Sequence, residues 1–254
     1  MTKRILLTFP ALLCFLLAQA QNFSGGFNFY LPPDDSSAQR FLPEFPAAPI
    51  ADFVRIDADG HFEAGGAPLR FWGVNLTTGA CFPVPDKAPF IAARMRKMGI
   101  NLVRFHHMDN PWSGAAGSLF DPAQGTTRRL NPVTLDRLHY FLSQLKRNGI
   151  YANLNLHVSR TFTEGDGVLH ADSIPEFGKA VTMFDGQLIE LQKEYARQLL
   201  GAVNPYTGLA LSADPVPALV EITNENTIYG YWREDALQPF ADGHRLQQPH
   251  ADPR

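Results

Sequence analysis

Short apolar runs alternate with longer amphipathic segments along the chain from residue 69 onward. The apolar runs predict buried strands over 69–76, 100–106, 150–157 and 216–223. Between these runs, apolar residues recur at the spacing of an α-helix. Strands that are apolar on both faces and are joined by amphipathic helices predict a parallel sheet covered by helices, which is an α/β fold.

Each amphipathic segment begins at a residue that is suited to cap a helix. Asp86, Asn131 and Asp185 open the three segments. Gly99 and Gly149 follow the first two, as is typical of helix ends. The apolar positions expected on the helix faces are Phe90, Ile91, Ala93 and Met98, then Leu135, Leu138, Leu142 and Leu145, and finally Leu188, Leu191, Tyr195 and Leu199.

The connections differ between the two ends of the predicted strands. Residues 108–130 and 158–184 form long loops after the second and third strands, whereas the connections that lead from a helix back to a strand are short. Long loops at the carboxyl ends of strands are typical of α/β barrels. The asymmetry therefore favours an α/β barrel over a doubly wound sheet.

The segments before the barrel have a different character. Residues 1–20 combine a charged start, an apolar centre and the small-residue site Ala18-Gln19-Ala20, which indicates a signal peptide cleaved after Ala20. The mature protein is then expected to be secreted or periplasmic. Residues 21–51 predict an extended lead-in, and turn signals around 59–66 predict a small β-hairpin at the start of the barrel domain.

The barrel domain is expected over 52–240. Residues 241–254 lose the apolar periodicity and predict a polar tail, as a truncated barrel would have.

Composition narrows the class of protein. The 254 residues are 45% hydrophobic and 19% charged, with a net charge of −3 and no basic tract, which is typical of a soluble domain that does not bind nucleic acid. Once the signal peptide is cleaved, no apolar run predicts a membrane span. Cys14 leaves with the signal, so Cys81 has no disulfide partner and is expected to be structural.

Polar side chains stand where the predicted strands end. The second strand ends with Arg104 and His106, the third with His157, and the fourth with Asn224 and Glu225. Because the carboxyl ends of parallel strands meet at one edge of a sheet, these side chains are expected to share a site. A carboxylate at the mouth of a buried strand is partly desolvated, which favours its protonated form and suits a general acid.

The order of these residues resembles a known family. Gly-Ile-Asn-Leu-Val-Arg at 99–104, Phe-Trp-Gly-Val-Asn at 71–75, the strand-ending His157 and the pair Asn224-Glu225 are similar to the clan A glycoside hydrolases, most nearly to the cellulase-like glycoside hydrolase family 5. The resemblance covers roughly residues 52–230.

The resemblance implies a (β/α)8 TIM barrel, of which this chain shows about the first four β/α units. It also implies hydrolysis of β-linked polysaccharide or oligosaccharide with retention of configuration. In that family's pattern Glu225 is the acid/base, and Asn224 binds the sugar hydroxyl next to the anomeric carbon. Arg104 positions the nucleophilic carboxylate and keeps it ionised. His157 hydrogen-bonds the substrate or orients its neighbours.

Further side chains are expected to line the cleft. Trp112 and Trp232 offer flat faces on which sugar rings stack, and His106 and Asp109 offer polar groups for hydroxyls. No cofactor and no metal is expected.

A retaining mechanism needs a second carboxylate about 5–5.5 Å from the first. The resembling family takes it from the seventh strand, beyond the four strands recognised here. Glu221 lies on the same strand as Glu225, and strand alternation directs both side chains to the same face at different depths. Glu221 therefore cannot flank the opposite face of a sugar. The sequence offers no geometric argument that any of the three loop carboxylates, Asp109, Glu164 and Asp166, replaces the nucleophile. The nucleophile is therefore expected outside this chain, which is then inactive alone.

Two other functions remain open at this stage. A metal-dependent hydrolase could use His106, His107, Asp109 and His157, but adjacent histidines on a strand point to opposite faces. A non-catalytic carbohydrate-binding protein, or a truncated product without function, would also carry the strand-end residues.

Overall fold

The structure is a computed structural model and describes residues 48–234, apart from the side chain of Glu176. In chain order its strands are β1 (Val54–Ile56), β2 (Phe62–Ala64), β3 (Ala67–Pro68), β4 (Gly73–Thr77), β5 (Leu102–His106), β6 (Tyr151–His157), β7 (Val203–Asn204), β8 (Leu209–Ala210) and β9 (Pro217–Thr223). Its helices are α1 (Ala88–Lys97), α2 (Pro132–Arg147), α3 (Gly186–Gly201) and α4 (Ile228–Arg233). The predicted signal peptide, residues 21–47 of the lead-in and the predicted tail lie outside the described residues.

The four strands predicted from the apolar runs form one parallel sheet in the order β4-β5-β6-β9. Val74 lies beside Val103, Val103 beside Ala152, and Leu154 beside Val220. Helices α1, α2 and α3 connect successive strands of this sheet. Parallel β/α units in sequential order are those of a barrel, as the loop asymmetry predicts.

Two helices begin where their predicted caps stand. The Asn131 side chain accepts the Val133 N–H at the start of α2, and the Asp185 side chain accepts the Leu188 N–H at the start of α3. Leu138, Leu142 and Leu145 of α2, and all four predicted positions of α3, are buried. The helical spacing of leucines therefore identified the faces that cover the sheet.

The first helix differs from its prediction. It begins after Lys87 rather than Asp86, and its buried residues are Ala88 and Ala92. Phe90 is 47% exposed and Met98 41% exposed, so the prediction that both lie on the apolar face was wrong. Since Phe90 lies two residues from each buried alanine, it points to the opposite side of the helix.

Small antiparallel elements flank the barrel units. The predicted hairpin is a three-stranded sheet, in which β1 pairs with β2 and β2 with β3. Strands β7 and β8 form a hairpin between α3 and β9 that the sequence analysis did not predict. Its strands are two residues long, which is too short for an apolar period to be seen.

The two faces of the sheet are chemically different. One face packs on the helices, where Val103, Phe105 and Leu154 are fully buried and the rings of Phe105 and Phe141 meet edge to face at 5.9 Å. The opposite face carries polar side chains. The expectation that both faces are apolar was therefore wrong, because the alternating polar residues within the apolar runs all point to the same side.

Strand β9 lies at one edge of the sheet. Among residues 48–234 no other strand pairs with the side of β9 that faces away from β6. Ile222 on this strand is 74% exposed. The core is thus centred between β5, β6 and the helices α2 and α3, and it thins toward β9.

A pair of substitutions tests this location of the core. We expect Leu142→Ala to lower the free energy of unfolding by about 2–5 kcal/mol, since a fully buried leucine leaves a cavity. Phe90→Ala should change it by less than about 0.5 kcal/mol, because the ring is exposed. Chemical denaturation followed by circular dichroism measures both, and a larger loss for Phe90→Ala than for Leu142→Ala would contradict the observed orientation of α1.

Candidate active site

A polar layer covers the face of the sheet that points away from the helices. Asn75, Arg104 and Asn153 lie side by side on β4, β5 and β6, and Asn155 of β6 lies beside Glu221 of β9. The layer crosses the middle of the strands, and the strand-end residues and the long loops follow at the carboxyl ends. The strand-end residues predicted to meet at one edge do so around it.

Arg104 and Glu221 form the centre of this layer. The Arg104 Nε and Nη2 atoms each donate to one oxygen of the Glu221 carboxylate at 2.7 Å. The same Nη2 donates to Asn224 Oδ1 at 2.9 Å, and Nη1 donates to Asn75 Oδ1 at 3.3 Å. A guanidinium that binds both oxygens of a carboxylate is fixed in position and in plane.

The ion pair changes the acidity of Glu221. The hydrogen bonds from Arg104 lower the pKa of Glu221 to about 2, although partial desolvation acts in the opposite direction. A hydrogen bond from Asn153 Nδ2 to Glu221 Oε1, 2.6 Å long, adds to the effect. The same contact with Glu221 raises the pKa of Arg104. Glu221 is thus a fixed anion and has no proton to give near neutral pH.

Asn224 is held at the end of β9 by both its side chain and its backbone. The residue is 9% exposed, its Oδ1 accepts from Arg104, and its backbone N–H donates to the His157 carbonyl at 2.9 Å. Because a guanidinium can only donate, the Asn224 oxygen must face Arg104.

Glu225 follows in an unusual backbone conformation. Its φ is +48°, in the left-handed region that non-glycine residues rarely adopt, and its side chain is exposed. The alternation of β9 ends at Thr223, so counting along the strand does not give the direction of Glu225. The partial burial expected for this carboxylate is not provided by the described residues. Strained residues of this kind cluster at functional sites.

His157 is buried and faces the second long loop. Its Nε2 lies 2.8 Å from the Phe177 carbonyl, which can only accept, so Nε2 carries the hydrogen. Its Nδ1 is buried without a hydrogen-bond partner. Desolvation lowers the pKa of His157, which keeps the imidazole neutral. Its ring also meets the Phe162 ring edge to face at 5.8 Å.

Two adjacent histidines and two further aromatic rings lie at the mouth. His106 Nδ1 is 2.7 Å from Asn155 Oδ1, and the His106 and His107 rings are 4.2 Å apart. The Trp112 ring lies 5.3 Å from that of His107 and 6.0 Å from that of Phe177, and Trp112 is 54% exposed. A partly exposed tryptophan fixed by neighbouring rings suits stacking on a sugar.

The prediction that His106 and His107 point to opposite faces was wrong. His107 follows the end of β5 with a φ of +53°, so strand alternation no longer applies to it. Desolvation, together with the nearby His106, lowers the pKa of His107. Within residues 48–234, no three His, Cys, Asp or Glu side chains come together in a way that could hold a metal ion.

Two carboxylates of the long loops, Asp109 and Asp166, are held by hydrogen bonds, whereas Glu164 is exposed. Asp109 is 2% exposed, and its oxygens accept the backbone N–H groups of Val158, Ser159 and Arg160. This placement favours an anchor between the loops over the sugar contact expected for Asp109. Asp166 is likewise buried and accepts from both the backbone and the hydroxyl of Thr127. Burial alone would raise the pKa of Asp166, but the hydrogen bonds that it accepts from Thr163, Thr127 and Thr126 together outweigh burial and lower the pKa.

Arg160 joins the same loops and was not identified from the sequence. It is 1% exposed, donates from Nε to the Thr127 hydroxyl at 2.8 Å, and stacks over Phe162 at 4.8 Å and Phe120 at 5.0 Å. An arginine in a long loop gives no periodic signal of burial, so sequence reasoning could not find it.

Two other residues singled out from the sequence, Trp232 and Cys81, make no described contact with the polar layer. Trp232 is on α4, is 66% exposed, and its described ring contact is with Tyr229 at 5.9 Å. Cys81 is fully buried, and desolvation raises the pKa of its thiol to about 12, as expected of a structural cysteine. The described residues contain no helix that is both long and apolar enough to span a bilayer.

Solved structures with a similar fold include an endo-1,4-beta-mannanase and glycoside hydrolase family 5 mannosidases. An endo-1,4-beta-mannanase from Rhizomucor miehei is 21% identical, with a TM-score of 0.53 over 68% of this chain and 48% of that chain. A glycoside hydrolase family 5 mannosidase from the same organism is 19% identical, with a TM-score of 0.55 over 75% of this chain and 53% of that one. A mutant of that mannosidase in complex with mannosyl-fructose is 21% identical, with a TM-score of 0.54 over 74% and 53% of the two chains.

These similarities concern the fold. The chain spans about half of the length of the structures it matches. The predicted resemblance to family 5 glycoside hydrolases and the partial α/β barrel are thereby confirmed at the level of the fold. No family model matches the sequence, and no curated protein matches it either.

The ion pair of Glu221 predicts a specific sensitivity to acid. The folded-state pKa of about 2 lies below the ordinary value of 4.5, so the pair stabilises the fold fully above about pH 4.5, and this stability is lost as the pH falls toward 2. We expect the unfolding free energy of the wild type to fall by about 1–2 kcal/mol more than that of Glu221→Gln over this window. That estimate is below the full shift, because roughly a third of the pair is exposed to screening.

Urea denaturation of both proteins at a series of pH values measures this difference. Parallel acid dependence of the two proteins would show that Glu221 is not held as an ion pair.

Proposed function

We propose that this chain forms the first half of the catalytic barrel of an exported, retaining glycoside hydrolase that acts on β-linked polysaccharide or oligosaccharide. The observation that carries the proposal is the pair Asn224-Glu225 at the carboxyl end of β9, where Arg104 fixes the amide and a strained backbone presents the carboxylate. The similar fold of the mannanases supports the reaction class and leads us to choose β-linked manno-oligosaccharides as probes.

In this proposal Glu225 is the acid/base. It first protonates the glycosidic oxygen and then activates the water that releases the sugar from the enzyme. Its exposure in the described chain suits a group that must reach a substrate, and a bound sugar would supply the desolvation that favours its protonated form.

Asn224 binds the hydroxyl next to the anomeric carbon. Since Oδ1 is directed at Arg104, the amide nitrogen is the group that remains, and it donates to an oxygen of that hydroxyl. A contact of this kind strengthens as the oxocarbenium-like transition state forms, so it contributes to rate as well as to binding.

The nucleophilic carboxylate is proposed to come from outside the described residues. Glu221 is held by Arg104 and Asn153, while Asp109 and Asp166 accept several hydrogen bonds each. Arg104 is expected to hold a nucleophilic carboxylate ionised. Among the described residues, the carboxylate that Arg104 holds ionised is that of Glu221 instead. A carboxylate added on the far side of the site would complete the pair about 5–5.5 Å apart that retention requires.

Trp112 supplies a platform for the sugar in this proposal. His106 contacts the His107 ring, which in turn contacts Trp112, and His157 orients the second loop through the Phe177 carbonyl. Trp232 would line a more distant part of the cleft. The signal-like residues 1–20 support export.

A second candidate function is carbohydrate binding without hydrolysis. It is favoured because Glu221, Asp109 and Asp166 are all held by hydrogen bonds, so none of these three is free to act as a second catalytic carboxylate beside Glu225. The two functions share the site and differ in turnover.

Replacement of Trp112 tests the binding site that both functions need. We expect Trp112→Ala to weaken the binding of a β-1,4-linked manno-oligosaccharide by about tenfold, because an aromatic platform contributes roughly 0.5–1.5 kcal/mol beyond buried area. The matched control is Trp72→Ala, since Trp72 is 69% exposed but precedes β4 at the opposite end of the strands. Calorimetric titration measures both, and equal effects of the two substitutions would contradict the proposed site.

Replacement of Glu225 tests the catalytic role in any form of the protein that turns the oligosaccharide over. Glu225→Gln should lower kcat by about 10²–10⁴-fold without loss of the fold, which is the usual contribution of a general acid/base. Glu164→Gln, which alters an exposed loop carboxylate, serves as the control. Turnover that survives Glu225→Gln would exclude Glu225 as the acid/base.

A further inference from the structure

We propose that Glu221 is a positioning residue, which fixes the guanidinium of Arg104 so that Arg104 in turn holds the Asn224 amide in the one orientation that presents its nitrogen to the substrate. The hydrogen-bond chain from Glu221 to Asn224 stands on the described contacts, whereas its use in sugar recognition rests on the proposed function.

The first step of the chain is the contact between Glu221 and Arg104. Two parallel hydrogen bonds of 2.7 Å join Nε and Nη2 to the two carboxylate oxygens. This arrangement sets both the position and the plane of the guanidinium, which a single contact would leave free to turn. It also connects β5 to β9 across the intervening strand β6.

Glu221 is itself held in place. Asn153 of β6, only 8% exposed, donates from Nδ2 to Glu221 Oε1 at 2.6 Å. Its neighbour on the strand, Asn155, lies in register with Glu221. The carboxylate therefore has a fixed place on the sheet rather than a free rotation at the strand surface.

The second step is the contact between Arg104 and Asn224. The Nη2 atom that binds Glu221 Oε2 also donates to Asn224 Oδ1 at 2.9 Å. A flipped amide would place its NH2 group against the guanidinium, where two donors face each other without an acceptor. The direction of the Asn224 amide is therefore decided by Arg104.

This orientation determines what the site can recognise. The Asn224 amide nitrogen can donate hydrogen bonds but cannot accept them. It therefore selects an oxygen lone pair of the ligand, such as that of a sugar hydroxyl or ring oxygen. If Glu221 were lost, Arg104 would keep its hydrogen bonds to the neutral amide oxygens of Asn75 and Asn224 but would lose the two parallel bonds that fix its plane, and it could turn between the amides. The amide would then lose its fixed direction while the strand remained in place.

The side-chain NH2 resonances of Asn224 in the ¹⁵N-labelled full chain report this orientation directly. They are assigned by their disappearance in Asn224→Asp. In Glu221→Gln we expect both resonances to shift and their exchange with solvent to become faster. The NH2 of Asn131, which donates to the Ala115 carbonyl at the start of α2, should not change and is the matched control.

Two further variants keep the test decisive. Arg104→Lys retains the cation but removes the planar fork, so it should move the Asn224 resonances in the same way even if Glu221→Gln fails to fold. Glu221→Asp retains the charge and should return the resonances toward their wild-type positions. Asn224 resonances that stay in place in a folded Glu221→Gln or Arg104→Lys protein would overturn the proposal.

This readout separates the inference from the proposed function. Loss of the fixed amide in Glu221→Gln, together with a chain that binds no β-linked manno-oligosaccharide, would support the positioning role and contradict the hydrolase. In a protein that does bind the oligosaccharide, Glu221→Gln should weaken binding by about tenfold, as expected for a misdirected polar contact.

Discussion

The ion pair between Arg104 and Glu221 is the interaction on which the candidate site depends. Its two 2.7 Å hydrogen bonds connect β5 with β9, although these strands are not neighbours in the sheet. A charged group on a strand needs a partner, because isolated burial of a charge is costly. Here the two charges form an ion pair, and the remaining N–H groups of the guanidinium donate to the side-chain amide oxygens of Asn75 and Asn224. This contact therefore fixes Arg104 and, through it, the side chain of Asn224 at the carboxyl end of β9.

The long loops add a second level of organisation above the strand ends. Asp109 gathers the backbone N–H groups at the start of the second loop, and the buried Arg160 binds the Thr127 carbonyl and hydroxyl of the first. Buried polar groups in loops are tolerated when each has a partner. The two loops are thus tied together, and Trp112 is presented between the rings of His107 and Phe177 rather than on a free segment.

Much of the fold could be predicted from periodicity alone. The leucine spacing that begins at Asn131 and the one that begins at Asp185 gave two helices with the correct caps and buried faces. The first helix was harder, because small residues such as Ala88 and Ala92 approach the sheet closely while the larger Phe90 is exposed. Hydrophobicity alone ranks these residues in the wrong order.

The sequence predicts which residues form the site better than it predicts their hydrogen-bond partners. Strand order predicts that Arg104, His106 and Asn224 meet at the same edge. The resemblance, however, implies that the carboxylate partner of Arg104 is a nucleophile outside this chain. Alternation already placed Glu221 on an inner face, and a charge there required an opposite charge on a nearby strand, which was the available signal. The backbone of His107 and Glu225 could not have been foreseen, since left-handed conformations of non-glycine residues leave no pattern in a sequence.

The proposed function requires that the strand-end residues beside the polar layer bind a β-linked sugar through Asn224. The most direct measurement is a ¹⁵N–¹H titration of the chain with a β-1,4-linked manno-oligosaccharide. We expect the largest shifts at Asn224, Glu225 and the Trp112 indole, with little change at Trp72 at the opposite end of the strands. Shifts that are confined to other surfaces, or a folded protein whose spectrum does not change at all, would contradict a carbohydrate site at these strand ends.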